Sequence, residues 1–164
     1  MLRRASFHYL GWVALIWLAP ISQAIAGDIL GDWVCTSYQE NEERHAHMQG
    51  VFSFENNGFL NADMDITFVF DDLKVEATAK YLSSWKFEGN LMPETPIRVW
   101  IRKYDINGVF ARNSMSAEEL RWSLMKKSDV PSTITFRSDN EMLMEHTGSI
   151  THCERLINNI AGSK

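Results

Sequence analysis

The sequence has few of the features that catalysis or membrane spanning requires. It contains no G-x-S-x-G, H-E-x-x-H, P-loop or dinucleotide-binding motif, and so nothing in it predicts an enzyme. Only two of its 164 residues are cysteine. After Ala19, no apolar run approaches the roughly 18 residues of a transmembrane helix. We therefore expect no catalytic residues, no cofactor and no bound metal.

The N-terminus has the three parts of a secretory signal peptide. Arg3 and Arg4 precede an apolar segment over 9–19, and small residues at 24–26 make an A-x-A cleavage site. The apolar segment is too short to cross a bilayer, which argues against the alternative of an uncleaved anchor. The sequence predicts a cleaved signal peptide over 1–26 and a periplasmic or secreted protein.

The remaining residues, 27–164, have a length typical of a single domain. Loss of Arg3 and Arg4 leaves 14 of the 16 Lys and Arg residues against 21 Asp and Glu, and the formal charge changes from −5 to −7. Binding to nucleic acid or to an anionic membrane requires clustered cations. We therefore expect no nucleic-acid partner and no stable membrane insertion after signal cleavage, which leaves a small apolar molecule or a protein partner.

Two pairs of residues near the ends of this domain predict its architecture. Trp33 and Cys35 have the spacing of alternate residues on a strand, and so do Cys153 and Arg155. One antiparallel register places Cys35 opposite Cys153 and Trp33 opposite Arg155, because both pairs have the same sum of residue numbers. In an oxidising compartment this predicts a Cys35–Cys153 disulfide beside a Trp33/Arg155 contact. First and last strands that lie together are what a closed barrel requires.

Between these ends the chain mostly alternates apolar and polar residues, as antiparallel strands do. Short turns at 56–58 and 71–72 separate three such strands, and another covers 97–104. Ser116 and Glu119 form a capping-box pattern that predicts one short helix over about 116–127. Three further strands follow it. The fold class expected is all-β, an antiparallel meander closed into a barrel of about eight strands.

The strand over 97–104 has an unusual second face. Its residues Arg98, Trp100, Arg102 and Tyr104 are of the types enriched in protein interfaces. They also pack well on one another across an exposed sheet. Both interpretations, a possible protein-contact face and ordinary surface packing, remain open.

Several motifs in order resemble the lipocalin-like, or calycin, group of exported bacterial proteins. Gly31-Asp32-Trp33 is similar to the G-x-W opening strand, and Arg155 to the arginine that packs over that tryptophan in the family. Residues 85–90, Trp-Lys-Phe-Glu-Gly-Asn, resemble the tryptophan and Gly-Asn hairpin of small lipocalin-like domains, and 151–155 resembles their closing strand. The helix before the last three strands departs from the standard lipocalin order.

The resemblance implies binding without chemistry. A lipocalin-like barrel holds a small hydrophobic or amphipathic ligand, or presents a face to a protein, as an enzyme inhibitor or toxin-neutralising protein would. It implies that Trp33 and Arg155 are a structural pair that closes the barrel. The residues expected to line a ligand cavity, or else simply to fill the core, are Phe68, Phe70, Trp85, Phe87 and Met144.

A copper site is the metal hypothesis that the sequence offers. His45 and His47 alternate on one segment, and Met142, Met144 and His146 alternate on another. No third and fourth ligand has convincing spacing, and Met142 is expected opposite Cys153, where methionine commonly fills a core. We therefore expect no metal at these residues.

Overall fold

The computed structural model describes residues 29–41 and 44–157, and the signal peptide predicted over 1–26 lies outside them. The described residues form a ten-stranded sheet and one helix. The elements in chain order are β1 (Gly31–Asn41), β2 (Arg44–Phe54), β3 (Phe59–Phe70), β4 (Leu73–Trp85), β5 (Leu91–Met92), β6 (Glu94–Ile106), β7 (Val109–Phe110), α1 (Met115–Met125), β8 (Ser132–Ser138), β9 (Glu141–His146) and β10 (Ser149–Arg155).

Alternation of side chains explains how the sheet buries one face. In β3 the residues from Phe59 to Ile66 are exposed and buried in turn, and the buried ones are apolar. The preceding turn is a tight one, with Gly58 at a φ of 81° that favours glycine. The inward side chains of β1, β2, β3, β4 and β6 merge into one core with Met142 and Cys153.

The strands follow the order β5-β8-β9-β10-β1-β2-β3-β4-β6-β7, and every neighbouring pair is antiparallel. The prediction of an all-β antiparallel meander, with one helix before the last three strands, is confirmed. The prediction of a closed barrel of about eight strands is not, because the ten strands form a curled sheet, a half-barrel, that ends at β5 and β7.

The chain near Pro93 explains the difference. Pro93 alone separates β5 from β6, and proline has no N–H to donate to a ladder. The two residues of β5 pair with β8, whereas β6 pairs with β4. Along β6 the helix α1 packs against the strand, where a closed barrel would have another full-length strand.

The register predicted between the first and last strands is present. Trp33 lies opposite Arg155, and Cys35 lies opposite Cys153. The disulfide joins Cys35 and Cys153 with an S–S distance of 2.06 Å, and both cysteines are fully buried. Met142 of β9 pairs with Cys153, as expected for a core methionine.

The contact between Arg155 and Trp33 joins the last strand, β10, to the first, β1. The Arg155 guanidinium carbon lies 4.2 Å from the centroid of the Trp33 ring, and its Nη1 donates to the carbonyl of Leu30 at 2.7 Å. The indole Nε1 of Trp33 donates to the carbonyl of Ile29 at 2.8 Å. Because Trp33 is fully buried, this hydrogen bond satisfies a donor that would otherwise be costly inside the protein.

The N-cap of the helix lies two residues earlier than the sequence indicates. Ser114 is its N-cap, in an extended conformation, and its hydroxyl accepts a hydrogen bond from the amide of Ala117 at 3.2 Å. The predicted capping box of Ser116 with Glu119 is therefore wrong. Ser114 and Ser116 are both of a type that caps helices, and the sequence pattern favoured the one with a glutamate three residues later.

A β-bulge in β6 changes the predicted contact face. Thr78 pairs with Lys103, but Ala79 pairs with Ile101, which leaves Arg102 as an extra residue in β6. A bulge of one residue reverses the facing of every side chain that follows. Tyr104 is consequently buried, at 5% exposure, and the prediction that it belongs to the outward face is wrong.

Candidate functional site

A cavity of about 350 Å³ lies between the sheet and the end of the helix. Its sheet wall comes from inward side chains of β2, β3, β4, β5 and β9, and its other wall comes from α1 and the segment that follows the helix. Cavities of this size lie at the lower end of the range in which small molecules bind. The apolar side chains of its sheet wall include Met48, Phe52, Leu60, Met64, Met92 and Met144.

The helix end and the following segment face this apolar wall. Leu124 of α1 packs against the core and lines the cavity. Lys126, Ser128 and Val130 follow it in the chain and also line the cavity, and Lys126 and Val130 are exposed. The cavity therefore reaches solvent beside the segment between the helix and β8.

Tyr81 and Glu94 place a hydrogen-bonded polar pair in the cavity. The Tyr81 hydroxyl donates to Glu94 Oε1 at 2.5 Å. Burial raises the pKa of Tyr81 well above its ordinary value, and the negative charge of Glu94 and the hydrogen bond to it act in the same direction. The hydroxyl therefore stays protonated and remains a donor to the carboxylate throughout the neutral range.

His146 adds a second polar group to the cavity lining. Its Nδ1 is shielded from solvent and has no hydrogen-bond partner among the described residues. Because the cavity is open to water, this shielded atom does not face the cavity.

The five residues expected to line one cavity are not together. Met144 lines the cavity just described. Phe68 and Phe70 border a separate cleft of about 950 Å³ beside the turn between β3 and β4. Trp85 and Phe87 lie toward the other end of that hairpin. All five residues pack against the core, which agrees with the alternative that they fill it.

Trp85 and Phe87 belong to an aromatic cluster. The ring of Trp85 is 5.6 Å from that of Phe54 and 6.2 Å from that of Phe87, and both contacts are edge-to-face. Trp85 Nε1 also donates to the carbonyl of Phe59 at 3.0 Å. These contacts are those of packed aromatic side chains, and Trp85 also borders a third cleft of about 450 Å³ beside Lys86 and Lys127.

Sequence reasoning missed most of the residues that line the cavity. Tyr81 lies on the buried face of an alternating strand, and this pattern indicates its inward orientation. Glu94 follows Pro93 in a segment that reads as a turn, and no pattern marks its carboxylate as inward. Leu124 lies on the helix, and its place in the cavity lining depends on the tertiary packing of α1.

The predicted contact face is smaller than expected, and its exposed residues already interact with neighbouring side chains. Arg98, Trp100 and Arg102 are exposed. The Arg98 guanidinium lies 5.1 Å from the Trp100 ring, and Arg102 Nη1 lies 3.1 Å from Asp63 Oδ1. The Trp100 side chain, 44% exposed, remains the main apolar group of this face.

The histidines considered as metal ligands are dispersed. His45 Nδ1 lies 3.1 Å from Glu40 Oε1. His47 packs beside Tyr38 instead, with the centroids of the two rings 6.4 Å apart. His146 lines the cavity on a different strand. Within residues 29–41 and 44–157, no group of three or more His, Cys, Asp or Glu side chains is arranged to hold a metal ion.

No protein-family model matches the chain, and no curated protein matches it in sequence. No helix in the described part of the chain is both long and apolar enough to span a bilayer. The disulfide is consistent with a protein that folds outside the cytoplasm. The resemblance to lipocalin-like proteins therefore rests on the sequence motifs.

Proposed function

We propose that the protein is an exported, lipocalin-like binding protein that holds a small hydrophobic or amphipathic molecule. The observation that carries this proposal is the cavity of about 350 Å³ between the sheet and the end of α1. Its sheet wall is mainly apolar, and burial of apolar surface is the main source of affinity for such a ligand. In this proposal the protein is periplasmic or secreted and performs no chemistry on its ligand.

The helix has a defined part in this function. The half-barrel leaves a gap along β6, and α1 packs against that strand. We propose that α1 and the segment over 126–131 complete the wall, and so the curled sheet and helix together enclose a lipocalin-like binding site. The contact of Arg155 with Trp33 and the pairing of β1 with β10 are the features of the fold that agree with this family.

Filling the cavity tests the proposal. Leu124→Trp adds volume to the cavity wall, and we expect it to weaken binding of the neutral fluorescent probe N-phenyl-1-naphthylamine by about tenfold or more. Met115→Trp is the matched control, because Met115 lies on the same helix at 79% exposure and should leave binding unchanged. Probe titration measures the affinities, and circular dichroism verifies that both variants fold.

Native mass spectrometry of the oxidised protein, purified gently from its own compartment, provides a second test. A co-purifying small molecule in one-to-one stoichiometry would support the carrier function. If the wild-type protein bound neither the probe nor any co-purifying molecule, the proposal would be wrong.

The alternative function is that of a protein-interaction module, such as an inhibitor or a toxin-neutralising protein. The exposed ring of Trp100 beside Arg98 favours it, since both residue types are common at interface hot spots. A second polypeptide retained by the wild type but lost in Trp100→Ala would support this function. Trp122→Ala is the control, because Trp122 is also exposed and lies beside an arginine, Arg121, at 4.7 Å.

A further inference from the structure

The polar groups of the cavity are arranged around the first residues of β8. Met92 of β5 pairs with Ser132, and Thr133 pairs with Glu145 of β9. Glu94 follows Met92 by two residues, and His146 follows Glu145 directly. The strand just before Glu94, β5, and the strand that ends at His146, β9, therefore flank the start of β8 from its two sides.

The sheet wall of the cavity has the opposite character. Phe52, Leu60 and Met64 are buried apolar residues of β2 and β3, away from β8 in the strand order. A molecule that fills such a space must be apolar where it meets these side chains and polar where it meets Glu94 and His146. The cavity thus matches an amphiphile better than a hydrocarbon, because a hydrocarbon would leave the polar groups buried without partners.

The Glu94 carboxylate determines which polar end fits. Tyr81 is its hydrogen-bond partner, and no Lys or Arg among the described residues forms an ion pair with it. A carboxylate accepts several hydrogen bonds, and so one donor leaves Glu94 with further acceptor capacity. Lys126, the one Lys or Arg of the described chain that lines the cavity, is exposed to solvent.

We infer that the ligand is an aliphatic amphiphile whose polar end donates a hydrogen bond to Glu94, an alcohol or an amine rather than a carboxylic acid. A ligand carboxylate in the same position would bring two negative charges together at short range in a partly buried site. This inference rests on the proposed carrier function.

Competition among three matched compounds tests it. Decylamine, 1-decanol and decanoate have the same length of alkyl chain and differ in the polar end. Each compound is used to displace N-phenyl-1-naphthylamine from the wild-type protein at pH 7.5. We expect the amine and the alcohol to bind about tenfold or more tightly than decanoate. Decanoate binding as tightly as decylamine would overturn the inference and leave the carrier function standing, whereas failure of the probe and of all three compounds to bind would overturn both.

Two substitutions test whether Glu94 causes the preference for the amine and the alcohol over the carboxylate. Glu94→Gln should weaken the binding of decylamine by about tenfold and strengthen the binding of decanoate, because the substitution removes only the negative charge. The affinity for 1-decanol should stay within about twofold of the wild-type value. Tyr81→Phe should reduce the selectivity as well, since Glu94 then loses the group that positions it. Glu88→Gln is the matched control, because Glu88 is exposed, pairs with Lys86 and does not line this cavity. An unchanged preference for the amine in Glu94→Gln would contradict the inference.

Discussion

The pKa of Tyr81 is raised above its ordinary value. Burial has the largest effect, and the charge of Glu94 and the hydrogen bond to it raise the pKa further. In the unfolded chain a tyrosine ionises near pH 10. The folded state therefore holds this proton to higher pH than the unfolded state does. The resulting contribution to stability is constant below about pH 10 and is lost as the pH rises above that value, because ionisation then favours the unfolded chain.

An alkaline titration followed by phenolate absorbance tests this difference. The wild type minus Tyr81→Phe difference curve should show no ionisation near pH 10 in the folded protein and normal ionisation near pH 10 in guanidinium. The free energy of unfolding should also fall less steeply above pH 10 in Tyr81→Phe than in the wild type. A folded-state difference curve with its midpoint near pH 10 would show that the hydroxyl is not buried against Glu94.

At the scale of single elements, the start of α1 provides a direct test of the helix cap. Ser114→Ala removes the hydroxyl that accepts from the amide of Ala117, and we expect the free energy of unfolding to fall by about 1 kcal/mol. The measurement is chemical denaturation. Glu119→Ala is the control and should change stability by only a few tenths of a kcal/mol, since Glu119 is exposed and is not part of the cap. A larger loss in Glu119→Ala than in Ser114→Ala would restore the capping box with Ser116.

The elements that the sequence predicts well are those with long, regular alternation. Leu60, Ala62, Met64 and Ile66 mark the buried face of β3, and the structure buries all four. The failures are local irregularities. The extra residue Arg102 turns Tyr104 inward, and a bulge of one residue leaves no mark in a pattern of alternating residues.

The cavity was less predictable than the strands. The size of the cavity depends on the distance between α1 and the sheet, and a single sequence contains no signal for that distance. Glu94 shows the difficulty, because a charged residue after a proline is normally on the surface. Its place at the cavity depends on two pairings on either side of Pro93, that of β5 with β8 and that of β6 with β4, which no sequence pattern marks.

At the scale of the whole molecule, the disulfide joins two strands that are 118 residues apart in sequence. The double substitution Cys35→Ala with Cys153→Ala should lower the free energy of unfolding by about 4 to 5 kcal/mol, because the unfolded chain regains the entropy of an open loop. Urea denaturation of the wild type and the variant measures this difference. Reduction of the wild type with dithiothreitol is the parallel control and should lower the stability by a similar amount. A loss below about 1 kcal/mol would show that strand pairing alone holds the two ends together.

The pairing of β1 with β10 also constrains the order in which the molecule can fold. The hairpins β1-β2, β2-β3 and β3-β4 connect neighbours in sequence and can form while the rest of the chain is still disordered. Trp33, by contrast, meets Arg155 only when nearly the whole described chain is available. We expect the docking of the last strand to be the slow step, and until it occurs the unpaired edge of β1 is the surface at which two chains can pair wrongly.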